Sequence, residues 1–368
     1  MTLPPTEIAA DVAAAYAQHF GRPPEVTTFA PGRVNLLGEH TDYNGGYVLP
    51  MPLEGLGVAI AIGHGPAPGA IEAYSDTFHE AERRNIEQGR EGRWSDYVLG
   101  CLKAVATSEI RETGLRIALI TTLPMGAGLS SSAALEVATL RAATTLFGKE
   151  TSPVDIAVAA RAVENDFVGM PCGIMDQFAS AVGKPGNALF LNTRTLEYAP
   201  APLPESHRFL ILHSGVSHQL TQDGYANRVA ECTAACEALG VEMLSDLGSG
   251  DLDRLDELPE LLARRTRHVL TDNQRVLDGL AALKAGDPAA FGRLMTESHA
   301  SQRDDYAITV PETDALVAAA LEAGALGARQ TGGGFGGAVV ALVAEAEAED
   351  LSATLLADFP GVRRLALV

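Results

Sequence analysis

Thr122-Leu-Pro-Met-Gly-Ala-Gly-Leu-Ser-Ser-Ser-Ala-Ala-Leu-Glu-Val137 decides the fold, because two periodicities meet in it. Upstream, Leu115-Arg-Ile-Ala-Leu-Ile-Thr121 alternates like a strand; downstream, Ala133, Val137, Leu140 and Phe147 recur at helical spacing until Gly148. The order is strand, glycine loop, helix. Gly126 and Gly128 let backbone approach a ligand, while Ser130, Ser131 and Ser132 present hydroxyls and N–H groups at a helix N-terminus, where partial positive charge favours an anion such as phosphate. A tight turn closed by a serine cap is the plainer reading of the same residues.

Elimination narrows the kind of loop. A Walker loop needs Gly-x-x-x-x-Gly-Lys-Ser/Thr, and Gly148-Lys149-Glu150 lacks both the earlier glycine and the hydroxyl. A dinucleotide fingerprint would need a third glycine where Ser131 stands. Protein-kinase signatures are absent too: Gln302-Arg-Asp304 lacks the histidine, and Asn165-Asp-Phe-Val-Gly169 spaces its Asp and Gly wrongly.

The 368 residues carry a formal charge of −20, which argues against nucleic acid or an anionic membrane as partner. An acidic chain that binds phosphate must do so locally, with backbone dipoles, a few placed cations and a metal. Met1–Phe20 shows no basic segment followed by an apolar one, and no apolar run approaches a membrane span, so a cytoplasmic protein is expected. Cys101, Cys172, Cys232 and Cys236 form no CxxC pair; Cys232 and Cys236, one helical turn apart, suit neighbouring thiols better than a disulfide framework.

Along the chain, Met1–Phe20 reads as an amphipathic helix with Ile8, Val12, Ala15 and His19 on one face. Thr28 to Gly46 reads as a polar loop carrying Arg33, Asn35, Glu39, His40 and Asp42 on a backbone tightened by glycines and Asn44-Gly45. Such a set suits a sugar, whose hydroxyls must each find a donor or acceptor; a solvated acidic loop is the alternative for Glu39 or Asp42 alone. Thr151-Ser-Pro-Val-Asp starts a helix whose apolar face, Ile156, Ala159, Ala160, Val163 and Phe167, also carries Glu164. A carboxylate there must be paired, protonated or metal-bound. Asp176 falls early in an apolar helix, and Ala-Pro-Ala-Pro-Leu-Pro204 reads as a hinge between strands Asn187–Leu191 and Arg208–Leu212.

Gly32-Arg-Val-Asn-Leu-Leu-Gly-Glu-His-Thr-Asp-Tyr-Asn-Gly-Gly46 resembles the signature of galactokinases. Leu123 to Ala134 resembles the ATP-binding motif of their superfamily of galactokinase, homoserine, mevalonate and phosphomevalonate kinases. The likeness continues through Gly169-Met-Pro-Cys-Gly-Ile-Met-Asp-Gln-Phe178, Tyr225-Ala-Asn-Arg228, Glu297 to Tyr306 and Thr331-Gly-Gly-Gly-Phe-Gly-Gly337, nearly the whole chain in the family's order. It departs at Leu37, where isoleucine is commoner, and at Val229, where a second arginine is usual.

The resemblance implies an α+β, two-domain small-molecule kinase fold with mixed sheets and helices and the active site in the interdomain cleft. Residues 1–204 would form the N-terminal sugar- and ATP-binding domain and 205–368 the C-terminal domain. It implies catalytic roles for Asp176 and Arg33, sugar contacts from Glu39, His40, Thr41, Asp42, Gly173 and Tyr225, and ATP contacts from Gly126, Ala127, Gly128, Leu129, Ser130, Ser131 and Ser132. Ser75 and Trp94 would lie near the base, Ser132 and Glu164 would place Mg2+, and the five glycines of Gly332–Gly337 would lie beside the phosphate loop. The expected reaction is transfer of the ATP γ-phosphoryl group to the C1 hydroxyl of D-galactose by a monomer. Asp176 either takes the C1 proton or orients the hydroxyl while Arg33 and Mg2+ stabilise charge. A kinase for N-acetylgalactosamine or a related small molecule, and a galactose- and ATP-binding sensor without catalysis, are the competing readings.

Overall fold

The computed structural model describes residues 4–216 and 222–368. Contacts divide the chain into two compact units, one of residues 1–33, 52–125 and 130–182, the other of residues 34–51, 126–129 and 183–368. This differs from one break at Pro204. Strand Tyr47–Val48 pairs with Asn187–Asn192, so segments distant in sequence share the second unit. Two of the three prolines expected to make a hinge, Pro200 and Pro202, lie in a strand, Tyr198–Pro202, antiparallel to Asn187–Asn192, and Pro204 follows its end. That strand is at the sheet edge, where Pro200 and Pro202 need no N–H.

The first unit is built on a five-stranded sheet in the order Val26–Asn35, Pro50–His64, Leu115–Thr121, Ala70–Ser75, Glu80–Asn85. The expected polar loop therefore begins only after Asn35, because Thr28 to Asn35 belongs to an edge strand that tolerates Pro31. Helix Pro5–Phe20 packs Ile8, Val12 and Tyr16 onto Ala59, Ala61 and Ala118, small residues that let the helix come close. Tyr16 takes the place expected of His19, since the buried row runs by fours; His19 is exposed and stacks on Tyr74 at 4.1 Å.

The second unit holds a four-stranded antiparallel sheet ordered Gly327–Thr331, Ala338–Ala344, His207–His213, Arg363–Leu367. Leu210, Leu212, Val339, Ala341 and Val343 alternate onto one face and bury against Leu316, Leu351 and Leu355 of helices Pro311–Glu322 and Ala348–Asp358. Among the described residues no helix is long and apolar enough to cross a membrane.

Candidate active site

In the first unit, helix Ser131–Leu146 begins after Ser130, whose φ of 60° is left-handed and whose side chain caps no backbone N–H. The serine-cap reading therefore fails: the Ser130 hydroxyl instead donates to Asp176 Oδ2 at 2.5 Å. The helix start receives no side-chain cap there, which leaves an anion the natural partner of its first N–H groups. Asp176, in the first turn of helix Met175–Val182, also accepts both arms of Arg33, Nε to Oδ1 at 2.8 Å and Nη2 to Oδ2 at 2.9 Å. The Arg33 side chain is 4% exposed and that of Asp176 31%. A buried guanidinium thus presents a carboxylate whose other face is open.

This pairing depends on holding strand Val26–Asn35 against helix Met175–Val182. Ser180 Oγ donates to Pro31 O at 2.8 Å, and Arg141 bridges Phe29 O and Ala181 O at 3.0 and 2.7 Å. Arg141 has no place in the resemblance motifs, and nothing in its helical pattern marked it.

Glu164 lies in a π-helical turn, Val163–Val168, a widened turn that often marks functional sites. The side chain is buried, as its place on an apolar face predicted, and Oε2 accepts from Gln177 Nε2 at 2.5 Å. Burial and the Asp176 charge push Glu164 up to about 7, against hydrogen bonds from Ser132 and Cys172 that lower it. Gln177 Nε2 also lies 3.3 Å from Glu136 Oε2, and Glu136 is wholly buried. Burial, then the Glu164 charge, raises Glu136 well above the ordinary carboxyl range. Sequence reading missed Glu136, although an acid among Ala133, Val137 and Leu140 is the same signal that exposed Glu164.

An apolar hollow of about 200 Å³ adjoins Ser131 and Ser132, walled by Val58, Phe78, Trp94, Tyr97, Leu119 and Leu123. Trp94 lines it. Ser75 does not; it is buried, and its Oγ accepts the Phe78 N–H at 3.2 Å, so it supports a wall residue.

In the second unit, the loop after Asn35 is held by bonds of its own, as from Asn44 Nδ2 to His40 O at 2.9 Å, and by residues far along the chain. Asp272 Oδ2 accepts the N–H groups of Gly38 and Glu39, each at 3.1 Å, and His268 Nε2 donates to Glu39 O at 3.0 Å. Glu39 Oε2 pairs with Arg329 Nη2 at 2.9 Å, both side chains almost wholly buried. The Thr41 hydroxyl lies 2.9 Å from Gly38 O and 2.7 Å from Tyr47 O, so its one proton closes the loop. Asp42 is half-buried at the start of the single turn Asp42–Asn44, its carbonyl accepting from Thr193 Oγ1 at 3.0 Å.

His40 has a left-handed φ of 60° and packs its ring 5.0 Å from that of Tyr225, on helix Gln222–Leu239. Burial, then the nearby His268, pushes His40 down to about 3, so the ring is neutral at ordinary pH. Its Nε2 atom is buried without a hydrogen-bond partner, a polar group suited to meeting a ligand. Gly173 is buried after Cys172, whose N–H and carbonyl are both held by the Asn165 side chain at 2.7 and 3.2 Å. Gly126 and Gly128 both take left-handed φ, 68° and 71°, which side chains resist. Gly332 backs them: a Cβ there would come within 2.7 Å of Gly128 O. Ala127 and Leu129 are buried between and beside the two glycines.

Arg329, Asp272 and His268 were missed because each belongs to a helix or strand far along the chain, and only a buried charge amid apolar residues could have marked them. Although Val229 stands where a second arginine is usual, Arg228 still forms an ion pair: its Nη1 and Arg265 Nε share Glu231 Oε2 at 2.6 and 2.7 Å.

Residues 96–184 match the GHMP kinase N-terminal domain, 14–64 the galactokinase galactose-binding signature and 280–361 the GHMP kinase C-terminal domain. The chain is 41% identical to a galactokinase of Roseiflexus sp. (strain RS-1) over 91% of its own length and 87% of the relative's. To the galactokinase of Homo sapiens it is 40% identical, covering 92% and 88%. The crystal structure of Lactococcus lactis galactokinase complexed with galactose matches with a TM-score of 0.90 at 30% identity, over 98% of this chain and 96% of that one. Mevalonate kinase of Methanococcus jannaschii shares the fold, with a TM-score of 0.68 at 21% identity. Such identity over almost the full length of both chains means that this chain belongs to the galactokinase family.

Proposed function

We propose that the protein is an ATP-dependent galactokinase that phosphorylates the C1 hydroxyl of D-galactose. The observation that carries this reading is the Arg33–Asp176–Ser130 cluster, an open carboxylate tied to the residue that begins the phosphate-loop helix. Asp176 receives the C1 proton, the C1 oxygen bonds to the γ-phosphorus, and the bond to the β,γ-bridging oxygen breaks to release ADP. Arg33 orients Asp176 and offsets charge as it develops on the transferring group. The alternative, in which Asp176 only orients the hydroxyl, is decided by the Asp176→Asn variant considered below.

Glu39, His40, Asp42 and Tyr225 contact the sugar, supported by Thr41 and Gly173. The backbone of Gly126 to Leu129 and the N–H groups at Ser130 to Ser132 receive the phosphates, and the apolar hollow beside Trp94 takes the base. Mg2+ fits the oxygen donors Ser132 and Glu164, because a desolvated carboxylate gains a counter-charge there. When bound, it neutralises charge on the β- and γ-phosphates. Four free thiols fit a reducing compartment, so we place the enzyme in the cytoplasm.

The test is ADP release with Mg·ATP against galactose, N-acetylgalactosamine, glucose, mevalonate and homoserine. Turnover confined to galactose is expected. Equal turnover on N-acetylgalactosamine would widen the substrate class, and galactose binding without ADP release on any substrate would replace the kinase with a sensor.

A further inference from the structure

Behind His40 lies a row of hydroxyl groups that the reaction above does not use. His40 Nδ1 is 2.9 Å from Tyr43 Oη, Tyr43 Oη is 2.7 Å from Tyr306 Oη, and Tyr306 Oη is 3.2 Å from Cys232 Sγ. Tyr306 is fully buried and closes a second π-helical turn, Gln302–Tyr306. Its ring is gripped by the His268 ring at 4.3 Å and the Arg265 guanidinium at 5.9 Å, which leaves the hydroxyl little freedom.

Each hydroxyl carries one proton, so the protons along such a row run one way. In one order Cys232 donates to Tyr306, Tyr306 to Tyr43 and Tyr43 to Nδ1, which leaves the ring proton of His40 on Nε2. In the other, Nδ1–H donates to Tyr43 and the row runs outward, which leaves Nε2 a bare lone pair. Of the two partners the phenol is the stronger acid and the imidazole lone pair the stronger base, so the bond in which Tyr43 O–H donates to Nδ1 at 2.9 Å is the better of the two. That order leaves the ring proton on Nε2, which is buried without a hydrogen-bond partner of its own.

We propose that Tyr43 and Tyr306 are positioning residues that hold His40 as its Nε2–H tautomer, so that His40 meets the sugar only as a hydrogen-bond donor. The inference rests on His40 as a sugar ligand. Carboxylates at Glu39 and Asp42 only accept, so the site combines a fixed donor with fixed acceptors and can demand a particular arrangement of hydroxyls.

Tyr43→Phe keeps the ring and removes the hydroxyl. It is expected to raise KM for galactose about tenfold while kcat and KM for Mg·ATP stay within about twofold. Tyr306→Phe, one link further back, gives a smaller rise in the same direction. In enzyme labelled with 15N-histidine, with His40→Gln to assign the resonance, wild-type His40 shows protonated Nε2 and unprotonated Nδ1, and Tyr43→Phe shows a mixture. A wild-type ring protonated at Nδ1 overturns the proposal, as does a Tyr43→Phe variant with unchanged galactose KM or with both KM values raised alike. His40→Ala separates the layers: unchanged galactose KM removes the sugar contact itself, whereas a raised KM beside an unaffected Tyr43→Phe removes only the hydroxyl row.

Discussion

The first unit contains two arginine–aspartate pairs of opposite character. Arg84 and Asp96 have side chains 1% and 2% exposed, with Nη1 to Oδ1 at 2.9 Å. The remaining lone pairs of Asp96 accept the N–H groups of Glu91, Gly92 and Arg93 at 3.0, 2.6 and 2.9 Å, and Arg84 also reaches Ser95 Oγ and Gly89 O. Nothing on that carboxylate remains for a ligand. Asp176 accepts two equally short bonds from Arg33 and one from Ser130, yet its side chain stays 31% exposed. The residue types match; what differs is whether backbone N–H groups fill the rest of the carboxylate. A closed pair fixes the fold, and an open one leaves a carboxylate for chemistry.

Asp176→Asn tests the open pair most severely, because the amide keeps the shape and cannot take a proton. A loss of about a thousandfold in kcat is expected, with galactose affinity by calorimetry little changed. Near-normal kcat would leave Asp176 an orienting group only. Asp96→Ala probes the closed pair. Leaving Arg84 buried and uncompensated should cost about 3 kcal/mol in urea unfolding, while kcat per folded molecule stays at the wild-type value. Loss of kcat without loss of stability would erase the distinction. Glu164→Gln should raise KM for Mg·ATP roughly thirtyfold, yet unfold at no lower a temperature than wild type, since a neutral amide relieves the crowding with Glu136.

The residues we propose to touch substrate were legible because their motifs put them in tight, glycine-rich segments, where a ligand explains the composition. Ser130 to Ser132, Arg33, Glu39, His40 and Asp176 all came from such stretches. Residues that hold them were not legible. Arg329, Asp272, His268 and Gln177 sit inside regular elements, and what makes them important is which distant backbone or carboxylate they reach. The same limit explains Pro200 and Pro202: proline reads as a break in sequence, and only the strand order reveals an edge where it is harmless. The His19 position failed for a smaller reason, a choice between rows of threes and fours that tertiary packing settled on Tyr16.

The smallest expected effect separates the two kinds of carboxyl by the sign of their response to pH. Burial alone would raise Asp96, but the N–H of Arg93, the guanidinium of Arg84 and the N–H groups of Glu91 and Gly92 outweigh it and hold the carboxyl below its ordinary value of 3.8. Its folded value is depressed, so its contribution is complete above 3.8 and is lost as pH falls through the lower folded value. Glu164 runs the other way. Burial raises it from 4.5 to about 7, so ligand-free stability is intact below 4.5 and declines as pH rises through about 7. Thermal unfolding of the ligand-free protein should therefore lose its acid limb in part in Asp96→Asn, and lose part of the decline between pH 4.5 and 7 in Glu164→Gln. If Asp96→Asn flattened the neutral limb instead, the closed pair would be paying a desolvation cost that its backbone N–H groups do not offset, and the contrast between the two pairs would collapse.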